Sequence, residues 1–352
     1  AAARAPYVAR RHRGCACKPC RLAGGAKPQP PGAACRRPYN RRMSSAAVFA
    51  WIWIPITLWA ALAQTVRNAA QRTLTAELGT LAATLVRFLY GLPVAAAWVL
   101  GTCVLGDRPG LVPVFTGTYA AWLAMGALTQ VGATAFLLLA MKERNFILAV
   151  AYSKTEVLQV ALFSTVLLHE LPSTVAMLAM AAATLGVVLL SLPRGGRVVV
   201  AGQGGQGRMV AYGLASGACF ALASVGFRGA SLALGDGVQP WVSAGWGVLW
   251  AQLLQSVLLG GWLLARQPGV VQAIGRAWKL SVVAGTMGGI ASIAWFTAYA
   301  LRPAADVRTL GLIEVVFSYL VSRQLFRERL SRVETAGLLL VVAGLVGICL
   351  QW

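Results

Sequence analysis

The sequence predicts an all-α integral membrane protein, with ten transmembrane helices arranged as two inverted five-helix repeats. Three observations predict it: an apolar composition, ten apolar runs of spanning length, and a self-match at an offset of 158 positions. Of 352 residues, 58% are hydrophobic and only 12% are charged, against about 25% charged in an ordinary soluble domain. Runs of about 20 apolar residues cross ~30 Å of hydrocarbon as helices. Ten occur, at about 46–66, 80–104, 117–140, 146–168, 174–193, 209–233, 242–265, 279–300, 305–325 and 332–351. The short connections between them leave no room for a sizeable soluble domain.

Sliding the chain by 158 positions lays residues 140–190 on 298–348 without a gap, and twelve of the fifty-one pairs are identical. The polar matches carry the signal, because apolar segments share Ala, Leu and Val by chance. They are Arg144 with Arg302, Glu156 with Glu314, Ser164 with Ser322, Glu170 with Glu328, and Ser173 with Ser331. Gly186 also falls on Gly344. The halves are 43–193 and 209–352, joined by a Gly-rich linker over 194–208. Five spans per half is an odd number, so the second copy crosses the membrane the opposite way. Inverted repeats characteristically build secondary transporters, with the substrate site at the repeat interface.

Residues 1–42 stand apart, with eleven Arg or Lys and no acid. They read as a basic, disordered tail, or as residues upstream of a start at Met43. No apolar core with a cleavable small-residue site precedes Met43, so a secretory signal peptide is not expected. Cys15, Cys17, Cys20 and Cys35 lack a second well-spaced pair, so no metal site is expected. Cys103, Cys219 and Cys349 are far apart in apolar spans and suggest packing, not a disulfide framework. A net charge of +21 would suggest nucleic acid in a soluble protein. Here the basic residues are divided between a tail and short loops, whereas phosphate binding needs a basic surface presented together.

In the first span, Gln64, Arg67, Asn68 and Gln71 recur at steps of three and four and share one helix face. They read as cavity lining, or as residues near the water interface. Arg87 lies inside the second span, with Tyr90 following and Pro93 able to kink the helix. A guanidinium keeps its charge and therefore needs a partner. The expected partners are Glu156 or Glu314 in the empty protein and a substrate carboxylate or phosphate when loaded, with a permanent structural pair as the rival. The third span contributes Gln130.

The fourth span holds Lys154 and Glu156 in AYSKTEVLQVALFSTVLL. Glu156 shares a face with Ser153 and Gln159, while Lys154 lies about 200° away on a continuous helix. Both charges therefore cannot face one narrow lumen. Glu156 reads as cavity lining or as a structural ion pair, and a buried carboxylate suits proton coupling. In the ninth span, Glu314 begins a polar stripe with Ser318 and Ser322. Glu170 and Glu328 read as helix-end residues, and Ser173 and Ser331 as helix caps. Gly186 and Gly344 suggest close helix packing. Trp51, Trp53, Trp98, Trp241, Trp278 and Trp352 suit interfacial belts. Trp295, Phe296 and Tyr299 read as core or as cavity lining.

At these residues a family comes into view. The ten spans, the paired halves, and YSKTEVLQVALFSTVLLHELPS echoed by LGLIEVVFSYLVSRQLFRERLS resemble EamA-type transporters of the drug/metabolite transporter superfamily. LWAALAQTVRNAAQRTL and VRFLYGLP are similar to elements of a bacterial subgroup. The resemblance covers 43–352. It implies a secondary transporter of a small polar or charged metabolite, working by alternating access as an exporter with proton or exchange coupling. It also implies a bacterial inner membrane with both termini cytoplasmic.

Loop charge argues the opposite orientation. Fourteen basic residues follow odd-numbered spans, and only Arg108, Arg228, Arg302 and Arg308 follow even-numbered ones. An enzyme is not expected, because the chain has two histidines and neither HExxH nor GxSxG. No cofactor is expected. The expected partners are a small-molecule substrate, the bilayer and protons. The other readings are a flippase for lipids or lipid-linked sugars and a non-transporting membrane interaction protein.

Overall fold

A computed structural model describes residues 51–106, 112–142, 152–190, 205–235, 237–267, 269–317 and 332–351. The tail 1–42, Met43, the linker as far as 204, Arg144, Ser318, Ser322, Glu328, Ser331 and Trp352 lie outside them. Every regular element among the described residues is helical. Among the described residues, five helices are long and apolar enough to cross a membrane: Thr80–Leu105, Gly117–Leu137, Gly207–Ala233, Pro240–Arg266 and Trp278–Leu301. Shorter apolar helices cover Glu156–Leu168, Thr174–Leu190 and Thr335–Leu350. The chain is an all-α protein whose helices fit a membrane.

The first helix, α1, runs over Trp53–Leu78, twelve residues beyond its apolar run. Two of its polar residues meet protein as the helix continues: Arg67 is buried, and Gln71 Nε2 donates to the Ala83 carbonyl at 3.2 Å, while Asn68, Thr73 and Glu77 are exposed. Gly79 ends α1 at φ +77°, a conformation that a side chain would oppose. Next come α2 (Thr80–Leu89) and α3 (Leu92–Leu105), separated by a break at Tyr90–Gly91. Pro93 sits at the start of α3, where its missing N–H costs little. The break is where the sequence predicts a kink.

After α4 (Gly117–Lys142), the stretch that opens with Tyr152 is not one continuous helix. A turn at Lys154–Thr155 interrupts it, and α5 begins at Glu156 and runs to Phe163. A π turn follows over Ser164–Leu168 and closes at His169, which adopts a left-handed φ of 56°. Then come α6 (Thr174–Leu190), α7 (Gly205–Ala233), α8 (Pro240–Arg266), the short α9 (Val270–Arg276) and α10 (Trp278–Leu301). The next helix, α11 (Ala304–Gly311), stops at a turn on Leu312 before helix resumes at 313–317. The last is α12 (Arg332–Leu350).

The long helices pack in pairs: α4 on α7, α10 on α1, and α6 on α12. Shorter contacts join α5 to α7, α11 to α1, and α5 to α11. Small residues permit the closest approaches, as interfaces between apolar helices require. A Cβ on Gly344 would lie 2.6 Å from the Ala179 carbonyl oxygen, and one on Gly186 would lie 2.6 Å from that of Gly337. Close packing at these two glycines agrees with the sequence.

Trp53 departs from the interfacial expectation: it is fully buried in the core. Trp98 is exposed and donates from Nε1 to the Trp241 carbonyl at 3.0 Å. Trp295, Phe296 and Tyr299 all belong to the core. Cys103, Cys219 and Cys349 are free thiols. Ser173 caps α6, accepting from the Ala176 N–H at 3.1 Å.

Candidate functional site

The densest polar group forms where α1, α10 and the breaks before α5 and after α11 meet. Its centre is the Glu314 carboxylate, two residues past the turn at Leu312. Gln64 Nε2 donates to Glu314 Oε2 at 2.6 Å, and Asn68 Nδ2 donates to Oε1 at 2.6 Å. Lys154 Nζ lies 3.7 Å from Oε2. A buried carboxylate needs such compensation, since an unpaired one costs several kcal/mol after relaxation. Trp295 Nε1 fixes the amide of Gln64 by donating to its Oε1 at 3.0 Å.

Glu156 lies beside this centre, buried at the first residue of α5. Its Oε1 accepts from Arg308 Nη2, and the Arg308 guanidinium stacks 5.4 Å from the centroid of the Trp295 ring. Tryptophan faces attract cations, and guanidinium groups stack well on them. The turn at Lys154–Thr155 resolves the angular objection of the sequence analysis. Because Lys154 precedes the helix, its side chain reaches Glu314 while Glu156 turns to Arg308.

The expected partners of Arg87 are therefore corrected. Both carboxylates are engaged elsewhere, and no carboxylate lies within ion-pair distance of Arg87 among the described residues. Its Nε is buried without a hydrogen bond, and its guanidinium lies 5.1 Å from the centroid of the adjacent Phe88 ring. Arg67 is 6% exposed and donates to Asn68 Oδ1, from Nη2 at 2.7 Å and from Nε at 3.2 Å. The two arginines approach across α10. A Cβ on Gly288 would meet Arg67 Cδ and Arg87 Cγ, each at 3.3 Å.

The remaining candidates divide. Gln71 bonds to the backbone of α2, and Gln159 Nε2 donates at 3.0 Å to Oγ1 of Thr155, in the turn just before its own helix. Neither joins the centre. Tyr90 packs on Gly285 of α10 at the break between α2 and α3. Gln130 accepts from Gln255 Nε2 at 2.7 Å, forming a separate contact between α4 and α8. Ser318 lies outside the described residues.

Two of the four arginines counted after even-numbered spans belong to buried networks, which corrects that count. Arg308 is one. Arg228 is the other: Nη2 and Nε donate to Glu170 Oε1 at 2.7 and 3.0 Å, and Nη1 donates to the carbonyls of Tyr299 and Ala300. Glu170 is thus an ion-pair partner of α7 and not only a helix-end residue. The position of Arg308 inside the apolar run 305–325 was the signal that could have found it.

No family model matches the chain, and no curated protein does. A solved structure titled "Crystal structure of protein" is similar to it, with a TM-score of 0.62 and 20% sequence identity. The match covers 87% of this chain and 96% of that one, and at this identity the likeness is one of fold.

Proposed function

We propose that the chain is a secondary transporter of a small polar or charged metabolite, built as two inverted five-span halves over 43–193 and 209–352. The observation that carries the proposal is the partition of the polar centre. Each link named to Glu314, the Trp295–Gln64 hydrogen bond, and the Glu156–Arg308 pair joins a residue of the first half to one of the second. Charges placed there respond to any movement of one half against the other, which is what alternating access requires. Both carboxylates also follow helix breaks, a feature of substrate and ion sites in broken-helix transporters.

The helix pairing favours the same reading. Under the 158-residue offset, contact of α4 with α7 corresponds to contact of α10 with α1. On this proposal the chain is an EamA-type member of the drug/metabolite transporter superfamily, exporting by proton or exchange coupling across a bacterial inner membrane. Its termini are then cytoplasmic, so a cysteine placed at Gly275 reacts with an impermeant thiol reagent from outside and one at Gly235 does not.

The test is a thermal-shift screen of the purified protein against amino acids, organic acids, nucleotides, sugars and aromatic amines. Ligands that bind only the folded state raise apparent stability. Any hit is then assayed for accumulation in proteoliposomes with and without a proton gradient or trapped counter-substrate. Saturable flux that Glu156→Gln and Glu314→Gln abolish is the expected result. Hits that bind without flux would sink the transporter reading and favour an interaction protein.

A further inference from the structure

We infer that Arg67 and Arg87 form the recognition site for an anionic group, a carboxylate or phosphate, and that the preferred substrate is a soluble dianion. The inference rests on the transporter reading for the word substrate, while the anion site itself stands on charge and geometry.

The charge count is simple. Around the centre stand four cations, Lys154, Arg308, Arg67 and Arg87, and two carboxylates, Glu156 and Glu314. Lys154 is paired with Glu314 and Arg308 with Glu156. Arg67 donates only to a neutral amide oxygen, and Arg87 has no hydrogen bond or ion pair among the described residues. Two positive charges therefore remain where burial strengthens their mutual repulsion. Guanidinium groups cannot shed the charge, so the stable complement is an anion that both can bond.

The backbone is arranged to bring them together. Their stems flank Gly288, and a Cβ there would press on both at 3.3 Å. Gly285 and Gly289 on the same face of α10 receive Tyr90 from the break between α2 and α3 and Val94 from the first turn of α3. The glycine face thus seats that break against α10 and holds Arg87 beside Arg67. Beyond the break, Gln252 is 3% exposed and neither polar atom of its amide has a partner. A Cβ on Gly91 would lie 2.7 Å from Gln252 Oε1 and 2.9 Å from the Arg87 carbonyl oxygen. Unfilled hydrogen-bonding capacity therefore also lies on α8, beside the backbone of the break that follows Arg87. Arginine forks suit carboxylate and phosphate, which they bond in parallel pairs.

The experiment uses the full chain in neutral phosphatidylcholine nanodiscs, with inorganic phosphate, succinate, acetate or chloride at matched ionic strength. Phosphate and succinate should raise the melting temperature saturably, at concentrations at least tenfold below acetate, with chloride inert. Arg67→Gln and Arg87→Gln should each weaken the response at least tenfold, and Lys279→Gln, at an exposed position, should leave it unchanged. A second arm replaces phosphatidylcholine with phosphatidylglycerol. Arginine-dependent stabilisation by that lipid alone would overturn the soluble substrate and assign the anion site to a headgroup.

Absence of any anion response, or a response that survives both substitutions, overturns the site. Should either variant fail to fold, wild-type protein treated with phenylglyoxal decides. Phosphate should protect Arg67 and Arg87 but not exposed Arg266, and equal labelling with and without phosphate overturns the inference. Anion binding without flux would sink the transporter and leave the site. Flux of a neutral or cationic solute without anion binding would do the reverse.

Discussion

Asn68 donates from Nδ2 to Glu314 Oε1 at 2.6 Å across 246 positions of chain. The bond joins α1 to the segment after α11, and Asn68 Oδ1 meanwhile accepts from Arg67. One amide thus links a carboxylate to a cation that has no carboxylate of its own. A double-mutant cycle with Asn68→Ala and Glu314→Gln, read by reversible unfolding in detergent, should give a coupling of about 0.6–1.7 kcal/mol, between the average and the largest values for interhelical hydrogen bonds in membranes. Additive effects would mean that the amide does not hold the carboxylate.

Glu156 and Arg308 offer a sharper contrast between losing one charge and losing both. Removing one member strands a buried charge, at ~3–5 kcal/mol, whereas replacing both with neutral groups is often tolerated. Glu156→Ala should therefore lower the melting temperature more than Glu156→Ala combined with Arg308→Gln. The check is a set of thermal scans of the two single variants and the double one. A double variant less stable than either single would show that the pair stabilises the fold outright.

Much of the helical framework was legible because membrane spans are written in length and composition. The runs at 80–104, 117–140, 242–265 and 279–300 fall on helices to within a few residues. Errors arose where polar residues face protein. The helix α1 continues through Arg67, itself buried, and Gln71, which bonds the carbonyl of buried Ala83, and a hydropathy run cannot register either. For the centre, the repeat pointed to both carboxylates and the helical stripe to Asn68 and Arg67. One partner escaped notice: Arg308 has Val150 as its repeat counterpart, so no match marked it. The turn at Lys154–Thr155 also escaped, since neither residue breaks helices strongly and tertiary contacts decide there.

Gly344 and Gly101 have opposite tolerance for a side chain. At Gly344 a Cβ meets the Ala179 carbonyl oxygen at 2.6 Å, the Ala183 Cβ at 2.7 Å and the Ala183 nitrogen at 2.9 Å. Backbone cannot yield as the end of a flexible side chain does, so α6 and α12 would have to part. At Gly101 nothing lies within 4 Å. Gly344→Leu should cost at least ~1–3 kcal/mol, as overpacking does, and Gly101→Leu should be nearly neutral. Unfolding midpoints of the two variants settle it, and equal midpoints would refute the close crossing.

Arg228 tests whether fork geometry or charge holds α7 to the end of α10. Its guanidinium bonds Glu170 Oε1 through two nitrogens and two successive carbonyls, of Tyr299 at 2.7 Å and Ala300 at 3.1 Å, through the third. Those carbonyls lie in the last turn of α10, where helix C-termini leave acceptors unfilled and favour cations. A lysine keeps the charge but has one nitrogen on a flexible stem, so it cannot span acceptors set this way. Arg228→Lys should therefore lose most of the stability that Arg228→Gln loses, both lying several degrees below wild type in thermal scans. Recovery of wild-type stability by lysine would show that charge alone is sufficient. Hydrogen exchange supplies the local readout: amides at 299–302 should exchange faster in both variants, because freeing the two carbonyls lets the last turn of α10 fray.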